Sequence, residues 1–236
     1  MAIPEDPRLP KLIIMVAYFW SLTFVPLVFF LNLNGDPIVR ATLGMVLGLN
    51  LIWTVFLGLL MWKYRVALRN KFHESLSSHL TITFIVLSTL MSMIEEAVTV
   101  GMTNTASPIW GVSPNEAHIT ASTNYWVVIS QHSVIVFIPL FITWGLALKK
   151  YNFHPVWVYV LFGLTGSVAE IFTFGQTPII VLQWINVYGL MVFLPSYLTY
   201  TEDRQKAPEL MYILMIFIPL LFTVISIIVV HILLTI

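Results

Sequence analysis

Apolar positions run in long blocks along this chain, and the charges, prolines, glycines and asparagines collect in the short segments between them. A helix needs about 20 predominantly apolar residues to cross the hydrocarbon core of a bilayer. Blocks of that kind fall at 11–32, 39–62, 80–101, 123–148, 155–175, 178–198 and 209–236. An outer-membrane barrel is excluded, because its strands would alternate over about 10 residues. The pattern predicts an all-α integral membrane protein, a bundle of about seven transmembrane helices in a single polytopic domain over 1–236. Only "GQTP" separates the fifth and sixth blocks, which predicts a tight helical hairpin with Pro178 opening its second arm. The first block lacks the short apolar region and small-residue cleavage site of a signal peptide and reads as a retained helix.

Composition strengthens this reading. Hydrophobic residues make up 58% of the chain and charged residues 9%, where about 25% charged is usual for a soluble domain. The chain has no cysteine, which removes disulfides, thiolate metal sites, iron–sulfur ligation and thiol catalysis together. Formal net charge is zero and no basic run carries interleaved aromatics. The balance gives no sign of a nucleic-acid partner and none is expected, and the lipid bilayer is the first partner the sequence implies.

Charge placement sets an orientation, since Lys and Arg gather in cytoplasmic loops. Arg8 and Lys11 precede the first helix, Lys63, Arg65, Arg69 and Lys71 follow the second, Lys149 and Lys150 follow the fourth, and Arg204 and Lys206 follow the sixth. Arg40 alone lies on the other side. The amino terminus is thus read as cytoplasmic and the carboxyl terminus as external, in a multi-pass protein of the cell membrane. Residues 102–122, "MTNTASPIWGVSPNEAHITAS", become the longest external loop, an ordered cap or a lid. Pro26, Pro139, Pro195 and Pro219 lie inside spans and read as packing kinks. Gly44 and Gly48 form a small-xxx-small pair that would let a neighbouring backbone approach.

The candidate chemistry is carboxylate chemistry inside lipid. In "SMIEEAVTVGM" (92–102) two adjacent glutamates interrupt an apolar run. Thr81, Ser88, Ser92, Glu95 and Thr99 share one helical face, and Glu96 lies about 100° further round, so one carboxyl is expected to face the interior and the other the next helix. Later spans add Gln131, His132, Glu170, Gln183, Asn186 and His231. At about 1.5 Å per residue, Glu95, His132, Glu170, Gln183 and Asn186 fall in one layer on the external side of the midplane. Three ionised glutamates there would cost on the order of 8–10 kcal/mol to insert. They must be protonated, hydrogen-bonded or neutralised by a cation, so a proton, cation or metal site is the common denominator.

The binding candidates are accordingly Glu95, Glu96, His132, Glu170, Gln183 and Asn186. Translocation of a small solute or ion, coupled to protons or cations, fits protonatable groups at one depth in proline-containing helices. A membrane-embedded hydrolase is the alternative: Glu95, Glu96 and His132 would be its catalytic candidates, and Glu95, His132 and Glu170 would hold a divalent metal. A non-catalytic subunit of a membrane complex, with other subunits as partners, is the third. The residues leave enzyme and non-enzyme readings both open. Bis-histidine haem is disfavoured because His132 and His231 lie at different depths, and retinal because the seventh helix has no lysine.

Overall fold

The computed structural model describes residues 6–76, 79–174 and 181–235. Its helices are α1 (Arg8–Leu31), α2 (Pro37–Leu49), α3 (Gly58–Leu76), α4 (Leu80–Thr103), α5 (Ala106–Trp110), α6 (Tyr125–Gln131), α7 (Ser133–Lys150), α8 (Pro155–Phe174), α9 (Val181–Leu198) and α10 (Glu209–Thr235). A π-helical segment, Asn50–Leu57, joins α2 to α3 without a break. Among the described residues, six stretches are long and apolar enough to cross a membrane: Arg8–Leu31, Pro37–Phe72, Leu80–Trp110, Tyr125–Lys150, Pro155–Thr173 and Glu209–Val229.

The axis of the bundle is α9, against which α1, α3, α4 and α8 all pack. Apart from Leu194, every residue from Ile185 to Tyr200 is buried. By contrast, Phe19, Phe30, Leu210 and Leu221 on the first and last helices are 69%, 62%, 63% and 62% exposed. Such an apolar outer surface around a packed centre suits lipid as the solvent. The closest approach is between α8 and α9, where Gly163 lies against the Ile185 backbone, Gly166 against the Tyr188 ring and Gly189 against Tyr159.

One end of the bundle gathers the basic loops. The two-residue strands β1 (Tyr151–Asn152) and β2 (Gln205–Lys206) pair in parallel there, adding a small element to an otherwise helical chain. His154 pairs with Asp6 at 3.8 Å. Arg69, 6% exposed, donates to Tyr197 O at 2.7 Å and Tyr200 O at 2.9 Å, and Arg204 donates to Thr199 O at 3.0 Å. Two arginines thus satisfy carbonyls left over at the C-terminal end of α9, where positive charge is also favoured by the helix dipole. Burial lowers the Arg204 pKa, and the neighbouring Tyr200 phenol opposes that shift. Arg69 therefore has a structural partner beyond the solvated role that charge counting gives it.

Other boundaries moved for identifiable reasons. The second block, expected at 39–62, continues as helix to Leu76, and the added turns carry Arg69 to the end of α9. The block expected at 123–148 is interrupted at His132, whose φ of −128° and ψ of −101° separate α6 from α7. Pro139, Pro195 and Pro219 each precede by four residues a threonine whose hydroxyl donates back to the proline carbonyl. Gly44 and Gly48 admit the Trp110 ring and the Met102 sulfur, side chains where a backbone was expected. The "GQTP" turn lies outside the described residues.

Candidate functional site

Both adjacent glutamates of α4 are buried, Glu95 at 3% and Glu96 at 5% exposure, and they point into different surroundings. Glu96 faces the loop and the α6–α7 break. Its Oε2 accepts from Thr99 Oγ1 at 2.9 Å and from Thr120 Oγ1 at 3.2 Å, and Ser133 and His132 also bear on it electrostatically. Ser133 opens α7, so the carboxylate lies near a helix start, where negative charge is favoured.

Glu95 faces α8 and α9. The charged groups bearing on its carboxyl are those of Glu96 and Glu170, and all three carboxyls bear electrostatically on Tyr188. Tyr188 donates its phenol to Glu170 Oε1, with its ring held between Gly166 and Trp184. Among the described residues no hydrogen bond reaches the Glu95 carboxyl. A carboxyl taken out of water and left without donors is costly unless it is protonated or meets a cation.

The sequence-identified residues therefore separate into two groups. Glu95, Glu96 and Glu170 come together, with His132 exposed at their edge beside Glu96. Gln183 and Asn186 lie elsewhere on α9. Gln183 forms a reciprocal amide pair with Asn50, whose Nδ2 donates to Gln183 Oε1 at 3.1 Å while Gln183 Nε2 donates back. Asn186 Nδ2 donates to Ser21 Oγ at 3.2 Å, and Tyr159 OH donates to Asn186 Oδ1 at 2.9 Å. Tyr18 OH donates to Thr54 O at 3.1 Å, inside the π-helical segment. No three His, Cys, Asp or Glu side chains converge as a metal-ligand group among the described residues. Gln131 is exposed. The His231 side chain lies outside what the structure describes. Arg40 donates to Leu33 O at 2.7 Å, a backbone partner at the end of α1.

Sequence reasoning missed Asn50, Ser21, Tyr159, Tyr188 and Thr120. Asn50 carried a signal, as a lone amide in an apolar run. Tyr188 carried none, since a tyrosine in a span is ordinary until its hydroxyl is seen on Glu170.

The Asn50–Gln183 pair supports a separate prediction. Asn50→Leu alone should lower stability by about 1–3 kcal/mol, because it leaves the buried Gln183 amide without its partner. Asn50→Leu/Gln183→Leu should recover most of that loss. Thermal unfolding in detergent measures both, and a double variant no better than the sum of the singles would show that the two amides are not coupled.

The loop that closes over this site is ordered by its own packing. Asn104 Nδ2 donates to Thr123 O at 3.1 Å, and Ile119 N donates to Thr103 Oγ1 at 3.3 Å. Ala41, Met45, Ala106, Val112 and Ala117 form a small core beneath it. Compared with protein-family models, with curated proteins and with solved structures, the chain matches none.

Proposed function

We propose that this chain carries out proton- or cation-coupled transport of a small solute or ion, with Glu95 as the group that binds and releases the coupling ion. The observation that carries the reading is the Glu95 carboxyl, buried, without a hydrogen-bond donor among the described residues and crowded by Glu96 and Glu170. A carboxyl kept for structure is satisfied by donors, as Glu96 is by Thr99 and Thr120. A carboxyl kept for exchange must be able to take up and lose its ion, and ionisable groups inside a membrane default to such roles.

Support also comes from the polar groups that continue away from the carboxyls. The Asn50–Gln183 pair and the Asn186–Ser21 bond place hydrogen-bonding side chains along α9 toward the basic end. In this reading α9 also crosses, as the sixth of seven spans in chain order, the basic end faces the cytoplasm of a cell membrane, and the loop over Glu96 faces outward. The carboxyls then load from outside and the α9 groups guide release inward.

The test is ion uptake by proteoliposomes holding a trapped pH-sensitive dye, driven by an imposed pH gradient or a potassium diffusion potential. Dye response above protein-free liposomes under one of these gradients is the expected result. A response equal to that of protein-free liposomes under proton, sodium and potassium gradients would sink the proposal.

A further inference from the structure

A groove at the basic end belongs to none of the chemistry above. It follows α1 from Lys11 to Tyr18, two turns or about 10 Å, and is closed on its other sides by α3, α8 and α9 through Leu59, Trp62, Tyr159, Leu190 and Phe193. Its volume is about 280 Å³, near the low end of small-ligand pockets at about 300 Å³ and narrow enough for one chain. Gly58 keeps it open, since a Cβ there would lie 2.8 Å from the Tyr18 hydroxyl and 3.3 Å from Leu190. The Tyr18 hydroxyl is already committed to Thr54 O, so the interior offers an apolar surface.

The rim is charged, with positive charge in excess. Lys11 lines it and is exposed. Arg65 holds its guanidinium 3.6 Å from the centroid of the Trp62 ring, and Trp62 lines the same groove. Asp6 also lines it, but pairs with His154. An acyl chain already dissolved in lipid gains little by moving into an apolar groove, so any selectivity must come from that rim. Basic pockets between membrane helices suit anionic head groups.

We infer that the groove between α1, α3, α8 and α9 holds one acyl chain of an anionic phospholipid whose phosphate lies between Lys11 and Arg65. Two cations at the head group correspond to a preference of about thirtyfold over a zwitterionic lipid. The site lies at the opposite end of the bundle from the Glu95 carboxyl, so it stands or falls separately from the transport reading.

Native mass spectrometry of the detergent-solubilised chain, offered equal amounts of phosphatidylglycerol and phosphatidylcholine, tests this directly. The phosphatidylglycerol adduct should exceed the phosphatidylcholine adduct by about thirtyfold. Lys11→Gln/Arg65→Gln should bring the two adducts level, whereas Lys149→Gln/Lys150→Gln, which removes the same charge at the same end, should preserve the preference. Met15→Trp, at an exposed position on the groove wall, should remove the adduct. Equal adducts on the unaltered chain, a preference that survives Lys11→Gln/Arg65→Gln, or equal loss in Lys149→Gln/Lys150→Gln would each overturn the assignment.

Discussion

Glu95→Gln should reduce ion-driven uptake in proteoliposomes by about a hundredfold or more, the scale on which proton transfer depends on a positioned titrating group. Helical content and elution in detergent should not change. Glutamine keeps the shape and volume of the side chain, and Glu95 has no hydrogen-bond partner among the described residues to lose. It also removes one of the three carboxyls that Glu95, Glu96 and Glu170 bring to this part of the bundle. Stability should therefore hold steady or rise as transport disappears. Glu96→Gln makes the contrast. Glu96 accepts from Thr99 and Thr120, and an amide in its place keeps one acceptor, so a partial loss is expected. Uptake by Glu95→Gln equal to that of the unaltered chain would remove Glu95 from the ion path. A protein that loses both uptake and helical content would instead assign Glu95 a structural role.

The parts of this arrangement that were legible in the sequence are those set by short-range rules. Apolar blocks of membrane-crossing length became helices, and of the face shared by Thr81, Ser88, Ser92, Glu95 and Thr99 all but the half-buried Thr81 are buried. Periodicity also separated Glu95 from Glu96 by direction, and the two carboxyls do meet different neighbours. The depth count put Glu95, Glu170, Gln183 and Asn186 in one layer, yet depth carries no information about rotation. Gln183 and Asn186 turn toward Asn50 and Ser21 and away from the carboxyls, and only the packing of α9 among its neighbours decides that. The helix break at His132 and the burial of Arg69 were hidden as well. The burial of Arg69 depends on what a distant segment offers, the carbonyls of Tyr197 and Tyr200, and the break at His132 interrupts an apolar run that carries no local stop signal. A basic residue counted toward orientation can also be a helix cap, and the count does not distinguish the two.

The packing that fixes α9 can be tested at Gly163, where Gly163→Ala should destabilise the protein by about 3 kcal/mol, the upper range for an overpacked core. A Cβ at that position would lie 2.5 Å from Ile185 O, 2.9 Å from its Cα and 3.0 Å from its carbonyl carbon. Those atoms are backbone, so no rotamer change relieves the contact and α8 must move away from α9. Separation would also pull Gly166 from the Tyr188 ring and weaken the bond from Tyr188 to Glu170, carrying the damage to the carboxyl cluster. Gly101→Ala is the matched control, because nothing lies within 4 Å of a Cβ there. In that exposed helical position alanine should stabilise by about 0.5–1 kcal/mol. Thermal unfolding in detergent, followed by circular dichroism, should therefore move in opposite directions for the two variants. Equal midpoints would mean that α8 and α9 do not approach through Gly163, and the placement of Tyr188 beside Glu170 would lose its foundation.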